Sequence, residues 1–121
     1  MPPTLEDIDP LDRLVHEPAR LILLTALASC ASADFVFLQR VARLTNGNLS
    51  AHLSKLSDAG LVTIEKRFIE RKPNTLVAIT AKGKRAVEQH WSRLEQLRAG
   101  ARDLAIVTTS AHSSSAAKAP P

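Results

Sequence analysis

Apolar residues recur along this chain at helical spacing, interrupted once by a stretch that alternates. Asp9 followed by Pro10 is a helix start, a cap with proline at the first helical position, and Leu11, Leu14 and Val15 give its short apolar stripe. Pro18 opens a second helix running to about Ser29. Its "ARLILLTAL" is apolar nearly all round, from Leu21 through Ile22 and Leu23 to Leu24 and again at Leu27. A helix of that kind is buried on two faces, and in so small a domain another subunit is a candidate for the second cover. Asp34 caps a third helix, "FVFLQRVARL", with Leu38 and Val41 inward. Thr45 caps a fourth over 46–59, where Leu49, Leu53 and Leu56 share one face at i, i+4 and i+7.

From Leu61 the period changes. In "LVTIEKRF" Val62, Ile64 and Phe68 fall on one face, and "TLVAI" (75–79) pairs back as the return strand. Pro73-Asn74 suits the centre of the turn between them, proline fixing φ and asparagine tolerating unusual dihedrals. Thr80 then caps a long last helix with a single seam of Val87, Trp91, Leu94 and Leu97. Gly83 in its first turns costs helix stability and either permits a close approach or means little; Gly100 marks a break. The organisation expected is a flexible segment over 1–8, a domain over 9–99, and a Ser/Ala/Pro-rich disordered tail over 100–121 that cannot build a core.

With its leucines turned inward, the fourth helix presents Asn46, Gly47, Asn48, Ser50, Ala51, Ser54, Lys55 and Asp58, with His52 on the flank. Short side chains let a helix descend into a DNA major groove, where Ser and Asn reach base edges and Lys a phosphate or guanine. On its own, such a face fits an ordinary solvated surface equally well. The following hairpin shifts the balance, because its tip region "EKRFIERKPN" carries Lys66, Arg67, Arg71, Lys72 and Asn74 against Glu65 and Glu70. Cations pushed outward beside a small-residue helix suit two features of one duplex, groove floor and flanking phosphates. Three helices, a hairpin and a further helix make a winged helix-turn-helix, mainly α with a two-stranded β-hairpin (α+β) and extra N- and C-terminal helices.

Composition narrows the classes. The 121 residues are 45% hydrophobic with a formal charge of +4, consistent with one domain and a polyanionic partner. There is no Tyr, and Trp91 with three Phe makes up the aromatics, which disfavours base-stacking platforms for single strands. No run is long enough to cross a bilayer, and "MPPTLEDIDP" lacks a signal peptide's layout. The lone Cys30 cannot form an internal disulfide and reads as a small buried hydrophobe. These features point to the cytoplasm.

The combination "GNLSAHLSKLSDAGLV", then "RKPNT", then "ITAKGKRAV" resembles the small winged helix-turn-helix transcriptional regulators related to the MarR and ArsR groups, over residues 11 to about 97. The resemblance implies a homodimeric double-stranded-DNA-binding regulator joined through its terminal helices. It places Asn48, Ser50, His52 and Lys55 on or beside the reading helix, and Arg71 and Lys72 on the wing. The apolar stripes nominate Leu11, Leu14, Leu21, Leu24, Val87, Trp91, Leu94 and Leu97 for the dimer interface. The chain departs from such proteins at Ile22 and Leu23, where a charge is common, and at Phe37, where a polar residue is common.

Other chemistry is poorly represented. There is no GxSxG, no Gly-rich phosphate loop and no shielded carboxylate pair, so no enzyme is expected. His16, His90 and His112 are isolated in sequence, and no Cys or His pair has ligand spacing within one helix, unlike metal-sensing relatives; neither metal nor cofactor is expected. His52 suits a mixed structural role better than base reading. The reading is a repressor, for want of an evident activation surface, with half-sites roughly 10 bp or a multiple apart. A small-molecule effector that moves the reading helices apart is a refinement for which no ligand is named. The rival is a winged-helix module for protein association, motivated by apolar surface on the second helix and at Phe37.

Overall fold

The computed structural model describes residues 9–111, with side chains through residue 105. The elements follow in the order α1 (Pro10–His16), α2 (Pro18–Cys30), β1 (Ser32–Asp34), α3 (Phe35–Ala42), α4 (Asn46–Asp58), β2 (Val62–Ile69), β3 (Lys72–Ile79) and α5 (Ala81–Ala111). Each helix start has a local cause. Asp9 Oδ1 accepts from the Leu11 N–H (2.8 Å), Asp34 Oδ1 from Phe37 (2.8 Å), Thr45 Oγ1 from Asn48 (3.1 Å) and Thr80 Oγ1 from Gly83 (3.0 Å), satisfying N–H groups that a helix leaves unpaired. Glu17, between two prolines' helices, caps α2 by accepting from Arg20 (2.9 Å), a role the sequence pattern did not single out.

The core is aliphatic. Leu23, Leu24 and Leu27 of α2, Leu38 of α3, and Leu49, Leu53 and Leu56 of α4 are buried, with Val15, Leu61, Val62, Val77, Ala86 and Val87. Each such leucine contributes roughly 1.5–3 kcal/mol of burial. On α3 the inward stripe is Phe35, Leu38 and Ala42 rather than Leu38 and Val41, and Val41 is exposed; the i, i+3, i+7 set fits one helical face better than the i, i+3 pair alone. Leu24 and Val87, expected at a dimer interface, are spent in this core. Leu11, Leu14 and Leu21 pack partly against it. On α2 the outward residue is Ile22.

The sheet has three strands in the order β1-β3-β2, all antiparallel. β1 joins a hairpin expected to be two-stranded, pairing Ser32 with Ala78 and Asp34 with Leu76; three residues of mixed polarity are too few to show a period. The hairpin turn is also displaced from its expected position. Ile69 pairs with Lys72, so Glu70 and Arg71 form the two-residue turn, with φ of 50° and 67°. Positive φ at both central positions is what a tight hairpin needs to match the strands' twist. Pro73 lies in β3 opposite Phe68, and Asn74 opposite Arg67. One pair beyond the closing pair is a non-hydrogen-bonded position, and β1 reaches only Leu76–Ala78. Proline's missing N–H therefore interrupts no ladder.

Gly83 answers to a close approach. A Cβ there would stand 2.2 Å from the Leu61 carbonyl oxygen. By contrast α5 continues through Gly100, where the break was expected; one exposed glycine costs about 1 kcal/mol, too little to end a helix flanked by "QLRA" and "ARDLA". The tail expected to be disordered over 100–121 is helical through Ala111, while its residues 112–121, His112 among them, and the segment 1–8, read as flexible, lie outside the described residues. The chain divides into two units, one ending at His90 and the other beginning at Trp91 within α5. The first holds every core residue named above. In the second, Leu94 is half-buried, while Trp91 and Leu97 are 46% and 65% exposed. Among the described residues no helix is long and apolar enough to cross a membrane.

Candidate nucleic-acid interface

The turn from α3 to α4 is brief. Arg43 takes the left-handed conformation (φ 55°) that ends α3, and Thr45 caps α4 at once. With Leu49, Leu53 and Leu56 inward, Asn46, Gly47, Asn48, Ser50, Ala51, Ser54, Lys55 and Asp58 are all exposed. A Cβ at Gly47 would meet nothing within 4 Å, so that end of the helix is open as well as small.

The hairpin closes on the same side. Along β2, Val62, Ile64, Lys66 and Phe68 share one face by alternation, and Ile64 and Lys66 line a groove with α4. This groove, of about 580 Å³, is bounded by Asn46, Ser50, Leu53 and Ser54 from α4, Phe35 and Val36 from α3, and Pro73, Asn74 and Thr75 from β3. Residues nominated separately on helix and wing therefore meet across one concavity. Arg71 and Lys72 are exposed at the tip beyond it.

Three nominated residues are engaged otherwise. Arg67 Nε donates to Asn74 Oδ1 across the strand pair (2.9 Å), so both are half-buried and hold the wing's middle in register. His52 turns toward the start of α2. Arg20 Nη1 lies 3.2 Å from His52 Nδ1, and a Glu17 carboxylate oxygen lies 3.8 Å from the same nitrogen. Arg20 Nε donates in turn to the Leu14 carbonyl (2.6 Å). Partial burial pushes the Glu17 carboxyl up, but the N–H groups of Arg20 and Ala19, with the charges of His52 and Arg20, outweigh it and hold the group below its ordinary 4.5. This cluster braces the flank of α4 against α2.

The far end of α4 is held too. The Thr80 hydroxyl donates to the Gly60 carbonyl (2.7 Å), Lys82 Nζ donates to the Ala59 carbonyl (2.9 Å), and the Thr80 N–H donates to the Leu61 carbonyl (3.0 Å). The start of α5 is thus latched to the joint between α4 and β2. Spacing could not reveal Thr80 and Lys82 in this role, since their partners are backbone atoms some twenty residues away.

The remaining sequence candidates resolve as follows. Cys30 is exposed rather than buried, at the last position of α2, with its Sγ donating to the Ala26 carbonyl (3.2 Å). His16 and His90, isolated in sequence, come together, Nδ1 to Nε2, at 3.1 Å with rings edge to face. Among the described residues no group of three or more His, Cys, Asp or Glu is placed to hold a metal ion.

Comparison with known proteins agrees with this geometry. The family described as the winged helix DNA-binding domain matches residues 19–98. An uncharacterized protein of Methanocaldococcus jannaschii is 31% identical over 85 residues, covering 70% of this chain and 92% of that protein. Among solved structures, a transcriptional regulator homologue from Pyrococcus horikoshii superposes with a TM-score of 0.69 at 33% identity, over 73% of this chain and 87% of that one. A mutant MarR from E. coli complexed with operator DNA superposes with a TM-score of 0.52 at 25% identity, over 66% and 62%.

Proposed function

The chain belongs to the winged helix DNA-binding domain family, and from that premise we propose that it is a homodimeric transcriptional repressor of MarR-like type. In this reading α4 enters the major groove and the wing rests on the adjoining backbone or minor groove. The observation that carries it is the shared groove, in which Asn46, Ser50 and Ser54 face Lys66 of the hairpin. Wing cations displace counterions and supply affinity, and the exposed face of α4 supplies sequence preference. Specificity is assigned to Asn46, Asn48, Ser50, Ala51, Ser54 and Lys55, and phosphate contact to Lys66, Arg71 and Lys72.

Self-association is assigned to the exposed Trp91 and Leu97 with Leu94, and to the partly buried Leu11, Leu14 and Leu21. Leu97→Asp should then give monomers by light scattering, and an unchanged mass would move the interface elsewhere. Selection of bound duplexes from a random pool tests the whole reading. Two-fold symmetric winners, with half-sites roughly 10 bp or a multiple apart, are expected. Absence of binding even at low salt would favour the second reading, a protein-association module, for which Ile22, Val36, Phe37 and Val41 offer exposed apolar surface on α2 and α3.

A further inference from the structure

The inward face of β2 does not stop where the core stops. Val62 is fully buried, Ile64 is 37% exposed, and Phe68 is 75% exposed. By alternation all three lie on the face that lines the groove with α4, and Phe68 sits directly opposite Pro73, one of the groove's lining residues. The sequence pattern alone puts Phe68 on the face of Val62 and Ile64 without saying how far burial extends along it. The hairpin, however, is paired without interruption from Val62–Ile79 to Ile69–Lys72, and so carries the ring past anything in the described chain that could cover it. Its position is nonetheless fixed, by a full ladder below and a two-residue turn above.

We propose that Phe68, backed by Pro73, is an apolar wedge that enters the minor groove beside the site read by α4 and partly unstacks one base step. The wedge rests on the duplex-binding reading above. Charge identifies the occupant. Lys66 lies behind the ring on the same face, and Arg71 and Lys72 lie beyond it, against the single tip carboxylate of Glu70, which matches a polyanion on both sides of an apolar point. Size agrees. A phenylalanine buries about 150–250 Å², enough for one inserted side chain, whereas a stable protein interface needs roughly 1,200 Å² or more. Ile69 cannot extend the patch, since alternation puts it on the opposite face. Inserted apolar side chains kink DNA at steps that unstack easily. The protein should therefore prefer pyrimidine–purine steps where the wing lands, outside the positions read by α4.

The test uses the full chain and duplexes selected by it from a random pool, with 2-aminopurine substituted step by step along each flank. Wild-type protein should brighten the probe at one flanking step, and Phe68→Ser should abolish that signal. The same variant should bind roughly tenfold more weakly with the salt slope unchanged, because no charge is lost. Phe68→Leu should restore most of both, and the melting temperatures of all three should agree. Equal affinity and equal brightening for wild type and Phe68→Ser would overturn the wedge while leaving duplex recognition standing. A change in mass by light scattering that accounts for the lost affinity would overturn it in favour of contact between copies. Failure of the wild type to select any duplex would remove both readings.

Discussion

The two ends of the hairpin obey different rules although the same two strands make both. At its base, Val62 and Val77 are fully buried, and the first turn of α5 presses so closely on Leu61 that only glycine fits at position 83. Toward its tip, six residues on from Val62, the same face carries Phe68, with Arg71 and Lys72 beyond it, all exposed. Burial is concentrated at one end, and the proposed function puts recognition at the other. Substitutions should therefore separate cleanly into those that move melting and those that move binding.

The largest effects belong to the base and the core it joins. Leu53→Ala should cost about 2–5 kcal/mol by chemical or thermal denaturation, as deletion of a buried leucine side chain does. Gly83→Ala should cost about 1–3 kcal/mol, although alanine is the better helix former by about 1 kcal/mol. A stabilised Gly83→Ala protein would show that the contact with Leu61 is not as close as described. At the tip the directions reverse. Arg71→Gly should lower the salt slope of duplex binding by about one, while the melting temperature holds or rises, since glycine accepts the positive φ that Arg71 adopts. Loss of stability with unchanged binding would invert the comparison.

Smaller effects sharpen it. Ser54→Ala and Lys55→Ala should reorder the preferred sites, by about 1–3 kcal/mol at the positions they read, without shifting the melting curve. Glu17→Gln should act least, and only in one pH range. The folded-state pKa of Glu17 lies below its ordinary 4.5, so its carboxylate contributes stability above that value and loses the contribution as pH falls through the folded pKa. Wild type and Glu17→Gln should accordingly differ most near neutral pH and converge in acid, as followed by melting across the pH range.

Much of this was legible in the order of residues, because it depended on local rules. Asp9, Asp34, Thr45 and Thr80 cap the helices they precede, and Leu49, Leu53 and Leu56 turn inward together. The exposed face of α4 follows directly from that stripe. The turn was misplaced because Pro73 and Asn74 have strong turn preferences, whereas Glu70 and Arg71 have little claim to positive φ; pairing of the flanking strands overrode them. Long-range partners left no local trace. His52 suits a structural role on sequence alone, but its partners Arg20 and Glu17 leave no mark there; Arg67 and Asn74 look like two contacts until they find each other, and Leu24 and Val87 look available until the core takes them. Phe68 followed the right face, but how far the core extends under that face is a property of the whole fold.

Hydroxyl-radical footprinting of the full chain on a selected duplex tests most directly whether α4 and the wing form one DNA-binding surface. A continuous protected stretch is predicted, with Arg71→Gly exposing only its flank and Ser54→Ala weakening its centre. A footprint unchanged by both substitutions, or no protection at low salt, would contradict the account.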